Sequence, residues 1–192
     1  MNDYFIEYDE VLEIKLGISD LTELKNAEAK ICYLRQIEIE AEPLPRKLGF
    51  NFLLSLHLRL FGDIYEFAGE IRTVNMAKND SVFCYAPNIV SEGKRIFSEL
   101  ERESFLAGIP QETLAKRIAY YSSELNALHP FREGNGRTIR LYLGLLARNA
   151  GYMIQYQQCN QENLLNADIA GFKGNTEPLA KIYKRIIQKV DD

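Results

Sequence analysis

The stretch ELNALHPFREGNGRTIRLYLGLL, Glu124 to Leu146, holds one of only two histidines in the chain. Helix-like sequence flanks it on both sides. Upstream, Leu114, Ile118, Tyr121, Leu125 and Leu128 recur at helical spacing, which predicts a helix over about 111–128 with one face on a core. Pro130 stops that helix, because proline disfavours helical geometry in the residue before it. His129 is therefore expected at a rigid helix end rather than on a swinging loop.

The loop that follows contains Gly134 and Gly136, which accept the positive φ of a tight turn. Successive N–H groups in such a turn converge on an anion. The next helix is expected from Arg137 or Thr138 to Ala150, and its free N–H groups and positive dipole end face the same spot. Arg137 and Arg140 lie three apart, on one face, and can fork onto phosphate oxygens. Glu133 at the loop edge suits Mg²⁺, which takes one or two carboxylates plus phosphate oxygens. The unperturbed pKa of histidine, about 6.5, suits a general base at neutral pH. Together these parts form an inventory for in-line attack on a metal-bound polyphosphate, with the imidazole beside the cavity that holds both guanidinium groups. Each part alone has an ordinary reading: a helix cap, a turn, a solvated arginine face, a carboxylate favouring a helix dipole. Their concentration in one short segment outweighs those readings.

The rest of the chain reads as support. Residues 1–18 form a short lead. Asp20 and Glu23 fit a capping box for a helix from about Leu21 to Glu42, with Leu21, Leu24, Ala27, Ile31 and Leu34 on its inner face. Pro43 and Pro45 end it. Further helices are expected at about 49–61, 89–105, 161–169 and 177–190. Between Arg72 and Pro87, apolar and polar residues partly alternate around Lys78 to Ser81, which predicts a small hairpin. No other strand is expected. The fold class is all-α: one mostly helical domain with a β-hairpin flap. His57, set among leucines, reads as a core histidine.

Composition excludes several classes. A net charge of −4 lacks the basic face that direct nucleic-acid binding requires. No apolar run approaches a membrane span. The acidic N-terminus, MNDYFIEYDE, does not read as a signal peptide, so a cytoplasmic address is expected. Cys32, Cys84 and Cys159 are widely spaced and read as reduced thiols.

The twelve residues His129 to Arg140, HPFREGNGRTIR, resemble the motif of the Fic family, HPFx(D/E)GNGRxxR, at every specified position. LFGDIYEFAGEIRTVNMAK, Leu60 to Lys78, resembles the family's approach to its active-site flap. The likeness covers most of residues 45–170 within a single domain, 1–192. It implies AMP transfer from ATP to a protein hydroxyl, with ATP as substrate and Mg²⁺ as cofactor. By the same resemblance, His129 is the base and Glu133 the metal ligand. Gly134, Asn135 and Gly136 cradle the phosphates, Arg137 and Arg140 hold the distal ones, and Phe131 anchors the loop. A target protein would dock on the flap, about Met76 to Tyr85, by strand pairing. The related Doc branch, which phosphorylates its target, carries Lys where Gly136 stands here, so Gly136 favours AMP transfer.

Many family members carry an inhibitory pattern, (S/T)xxxE(G/N), whose Glu pairs with the second motif arginine, here Arg140. The pattern is absent from this chain. Only the relaxed pair Ser19 and Glu23 comes near it, and that pair reads as a helix start. The chain thus resembles Fic toxins restrained by a separate small antitoxin. In that class the targets are the B subunits of DNA gyrase and topoisomerase IV. Two other readings stand beside it: the same fold using another nucleotide donor, and a module that binds a nucleotide without turnover.

Overall fold

The computed structural model describes residues 5–6, 15–16, 20–78 and 81–190. Most of the lead, Ser19, and the turn residues Asn79 and Asp80 lie outside them. Seven helices are described: α1 (Leu21–Ala41), α2 (Phe50–Phe61), α3 (Ile89–Arg102), α4 (Gln111–Leu128), α5 (Asn135–Asn149), α6 (Gln161–Phe172) and α7 (Glu177–Ile186). α4 is the hub and packs against α3, α5, α6 and α7. Its apolar positions Leu114, Ile118, Tyr121, Leu125 and Leu128 are all buried, as their spacing predicts.

Local chemistry sets the helix ends. The Asp20 carboxylate accepts the Glu23 N–H at 2.7 Å, starting α1. Gly49 and Gly62 bracket α2. Asn160 caps α6 through the Asn163 N–H at 3.1 Å. A side-chain oxygen at this position satisfies one of the donors left free in the first turn.

The expected inner face of α1 needs correction. Leu34 is 60% exposed, whereas Leu24, Glu28, Cys32 and Ile39 are buried. The stripe is rotated because a carboxylate, Glu28, stands inside it.

The hairpin forms from β2 (Asn75–Lys78) and β3 (Ser81–Val82), with Ala77 opposite Val82 and Lys78 opposite Ser81. The expectation of no further strand fails. β1 (Phe5–Ile6) runs parallel to β2, and β4 (Tyr152–Ile154) pairs antiparallel with β5 (Ile187–Lys189). The last helix therefore stops at Ile186, earlier than its basic tail predicts. Ile187 is buried while Gln188 and Lys189 are exposed, and Ile154 pairs opposite Ile187. Three rungs with β4 hold those residues extended.

Candidate active site

His129 is the C-cap of α4, and its backbone is left-handed, φ 44° and ψ 61°. Such a conformation is uncommon outside glycine. Its N–H donates to Leu125 O at 3.0 Å, and Arg72 Nε donates to its carbonyl at 2.7 Å. The helix end is thus fixed, as the proline step predicts, in a tighter geometry than the extended one expected before proline.

The imidazole lies under the flap. The Phe83 ring stacks on it with centroids 3.7 Å apart and planes 12° off parallel. Nδ1 lies 3.3 Å from Asn126 O. Nε2 is buried and has no hydrogen-bond partner. Burial, with the charges of Arg72 and Lys78 nearby, pushes the imidazole down to about 3. The ordinary value near 6.5 does not apply to this buried ring, which is neutral throughout the physiological range.

The loop after it is tightly stapled. Phe131 is fully buried and stacks on His57 at 3.8 Å. The Asn135 amide bonds both backbone groups of Phe131, at 2.9 and 2.7 Å. Thr138 Oγ1 donates to Gly134 O at 3.0 Å. Gly134 has φ +77°, and a Cβ there would meet the Phe61 ring at 2.5 Å. α5 begins at Asn135, two to three residues earlier than expected, so the N–H groups of Asn135, Gly136 and Arg137 form its free first turn. The Asn135 side chain therefore holds the loop, and its backbone is what faces the helix tip.

His57 is fully buried, yet it shapes the site. Its Nδ1 accepts the Gly69 N–H at 2.8 Å, which leaves Nε2 to carry the proton and donate to Glu133 O at 2.9 Å. Glu133 Oε1 accepts the Gly134 N–H at 2.8 Å. Among the described residues no three His, Cys, Asp or Glu side chains gather as a metal site. A metal would rest on the single Glu133 carboxylate and on its substrate.

The two motif arginines differ. Arg137 pairs with the buried Glu28. Arg140 has no carboxylate within 4.0 Å among the described residues, and its Nη1 lies 3.3 Å from where a Gly136 Cβ would stand. A cavity of about 660 Å³ between α1, α5 and β4 is lined by both arginines, with Gln36, Glu40, Tyr152 and Tyr156. His129 does not line it. The expectation of one cavity shared by imidazole and guanidinium groups is not met: the ring is buried, with Phe83 stacked on one face.

Three contributors escape sequence reading. Arg72 is 4% exposed and donates to four carbonyls: His129, Val74, Cys84 and, at 3.5 Å, Leu128. Phe83 and Glu28 are the other two. Phe83 falls inside the predicted hairpin, but nothing in its spacing marks a partner for His129.

The buried histidines give a pH prediction. Burial lowers His57 to about 4 and His129 to about 3, so the unfolded chain binds more protons between about 6.5 and 4. Stability from the neutral rings is lost as pH falls through that window. Asp168, raised by burial to about 6, opposes this by taking up a proton on the folded side. The net expectation is a loss of roughly 2 kcal/mol between pH 7 and pH 5. Urea unfolding at both pH values measures it, and an unchanged midpoint contradicts it.

The architecture defines a helical domain with a flap over a helix-tip loop, and the comparisons place it. The Fic/DOC family model matches residues 47–147. "Protein adenylyltransferase VbhT" of Bartonella schoenbuchensis is 37% identical over 170 residues, which is 88% of this chain but only 36% of that protein. "Probable protein adenylyltransferase Fic" of Salmonella typhimurium is 34% identical over 179 residues, 93% of this chain and 88% of that one. The ADP-bound N-terminal Fic domain of a Bep effector from Bartonella quintana superposes with a TM-score of 0.86 at 27% identity, covering 97% of this chain and 94% of that one. This chain belongs to the Fic/DOC family.

Proposed function

We propose that this chain is a protein adenylyltransferase, a Mg²⁺-dependent enzyme that moves AMP from ATP to a Ser, Thr or Tyr hydroxyl of another protein. The hydroxyl oxygen attacks the α-phosphorus, the bond to the bridging oxygen of the β-phosphate breaks, and pyrophosphate leaves. The hydroxyl proton passes to Nε2 of His129. The observation that carries this reading is that nitrogen: a neutral, buried acceptor without a partner, at a helix end six residues before the first turn of α5. Buried polar atoms without a partner are rare and call for a functional account.

The free N–H groups of Asn135, Gly136 and Arg137 bind phosphate oxygens, and Arg140 supplies the charged fork. Glu133 fits Mg²⁺, because one carboxylate oxygen remains outside its bond to Gly134 and Mg²⁺ keeps most of its other positions for phosphate and water. When bound, the metal neutralises charge on the phosphate oxygens. Phe83 stacks on the face of the imidazole and leaves the in-plane direction of Nε2 to other groups. The flap that carries Phe83 is also where the target docks, so docking bears on the packing around the ring.

The same reading extends to regulation. Arg140 feels the charge of the Asp168 carboxylate but makes no ion pair within 4.0 Å among the described residues, and the inhibitory pattern is absent from the sequence. This supports a toxin restrained by a separate antitoxin that carries (S/T)xxxE(G/N). The B subunits of type II topoisomerases are the leading targets, through the resemblance alone. A second reading, the same transfer from another nucleotide donor, follows from the absence of base-reading residues in the motif.

The test is label transfer. α-Labelled ATP should label a lysate protein, and Glu133→Ala should abolish the response to added Mg²⁺. Label from γ-labelled ATP instead would indicate phosphorylation. Outcompetition by UTP or GTP would indicate a different donor.

A further inference from the structure

α1 and α5 are joined by an ion pair whose carboxylate is buried and whose guanidinium is part-exposed. Arg137 Nη2 donates to Glu28 Oε1, and Tyr65 Oη donates to Oε2 of the same carboxylate at 3.0 Å. Arg137 Nη1 faces Cys32 Sγ at 3.6 Å, and its guanidinium carbon lies 4.9 Å from the centre of the Phe61 ring. Glu28 is 6% exposed. One side of the Arg137 head is therefore held by Glu28, Cys32 and Phe61 while about a third of the side chain still faces the cavity, whereas Arg140, one turn on, makes no such ion pair among the described residues.

We propose that Arg137 acts through its side chain as a positioning residue rather than as a nucleotide ligand, with Glu28 and Tyr65 as its fixed partners. A phosphate that recruited this guanidinium would strip it from Glu28. That would leave a buried carboxylate with only a phenol for company, a costly state. The pair is better suited to set the angle of the α5 tip. Phe61 lies under the guanidinium and also touches Gly134, where a Cβ would come within 2.5 Å of its ring. Arg137 and the first glycine of the loop thus bear on one ring, so moving one moves the other. The charged grip on phosphate falls to Arg140, and Arg137 contributes its backbone N–H.

This inference deepens the adenylyltransferase reading and rests on its assignment of the loop to phosphate. Its test uses unfolding and ATP binding, so a chain inactive on every target would sink the transfer reading and leave the pair still measurable. Four full-length proteins are compared: wild type, Glu28→Gln, Arg137→Gln and the double variant. Arg137→Gln is expected to lower the urea midpoint and to weaken ATP binding more than about tenfold, because an unpaired buried charge distorts the tip. In the double variant both side chains are neutral amides, and each can bond the other. The double variant should recover most of the midpoint and bind ATP within about threefold of wild type.

Two results overturn the proposal. One is a double variant that unfolds like wild type but binds ATP as poorly as Arg137→Gln, which would make the guanidinium a phosphate ligand. The other is a double variant no more stable than Arg137→Gln, which would mean that the two side chains are uncoupled. If Arg137→Gln does not fold, a double variant that folds and binds ATP within threefold supports the proposal, and one that folds without binding overturns it.

Discussion

Replacing His129 by alanine will remove AMP transfer and leave the molecule folded. The two halves of that result have separate physical sources. The ring makes one long hydrogen bond, Nδ1 to Asn126 O at 3.3 Å, and none at Nε2. Its loss costs a stacking contact with Phe83 and little polar pairing. The backbone at this position is held by others, through the Leu125 carbonyl and the Arg72 side chain. A change in stability of about 1–2 kcal/mol is expected, the ordinary size for a buried substitution that leaves no polar group stranded. Transfer should fall by about 10²–10⁴-fold, the usual contribution of a positioned base. His129→Asn serves as a control, because Asn tolerates a left-handed backbone better than Ala does. Transfer that survives in either variant would remove the base from this account.

Arg72→Leu will do the reverse and unfold the site around an intact histidine. The Arg72 guanidinium is a buried cation that donates to four backbone carbonyls: Val74 at the root of β2, Cys84 after β3, and Leu128 and His129 at the end of α4. The carbonyl end of a helix carries partial negative charge, which suits a cation there. Leucine fills the space but donates nothing. Each stranded carbonyl costs about 1–3 kcal/mol, so the total should exceed about 4 kcal/mol, a large part of a typical domain's stability. Lysine is no substitute, since one ammonium cannot reproduce a planar fork aimed at three chain segments. Urea unfolding provides the measurement. A loss below about 1 kcal/mol would show that the flap root and helix end stand without it.

How much of this could be read from the sequence depended on the kind of contact. α4 was legible because Leu114, Ile118, Tyr121, Leu125 and Leu128 recur at helical spacing and carry most of its buried face, with only Ser122 and Ser123 as buried polar exceptions. The loop and the two ends of its helices were legible because Pro130, Gly134 and Gly136 restrict or free the backbone locally. α1 was misread because hydrophobicity alone chose its inner face, and the true face includes Glu28, a residue that belongs inside only when Arg137 arrives 109 positions later. Arg72 was invisible for a similar reason: its partners are carbonyls, which every residue has. β4 and β5 were missed because three-residue strands carry almost no periodic signal, and each is held extended by the other. The lowered pKa of His129 could not be foreseen, since it depends on burial and on the nearby charges of Arg72 and Lys78, which only the folded packing brings together.

If a target docks on the flap by strand pairing, as proposed, the flap limits how that protein is chosen. β3 offers only Ser81 and Val82 as a ladder, and β2 already has neighbours on both sides. A guest segment that lies along the outer margin of β3 therefore gains a handful of main-chain bonds, too few to tell one sequence from another. Val82 and Tyr85, both about half exposed, stand beside that margin. Discrimination between proteins would then come from the shape that these and adjoining side chains present to the visitor's folded surface, and short peptides cut from it would make poor substitutes.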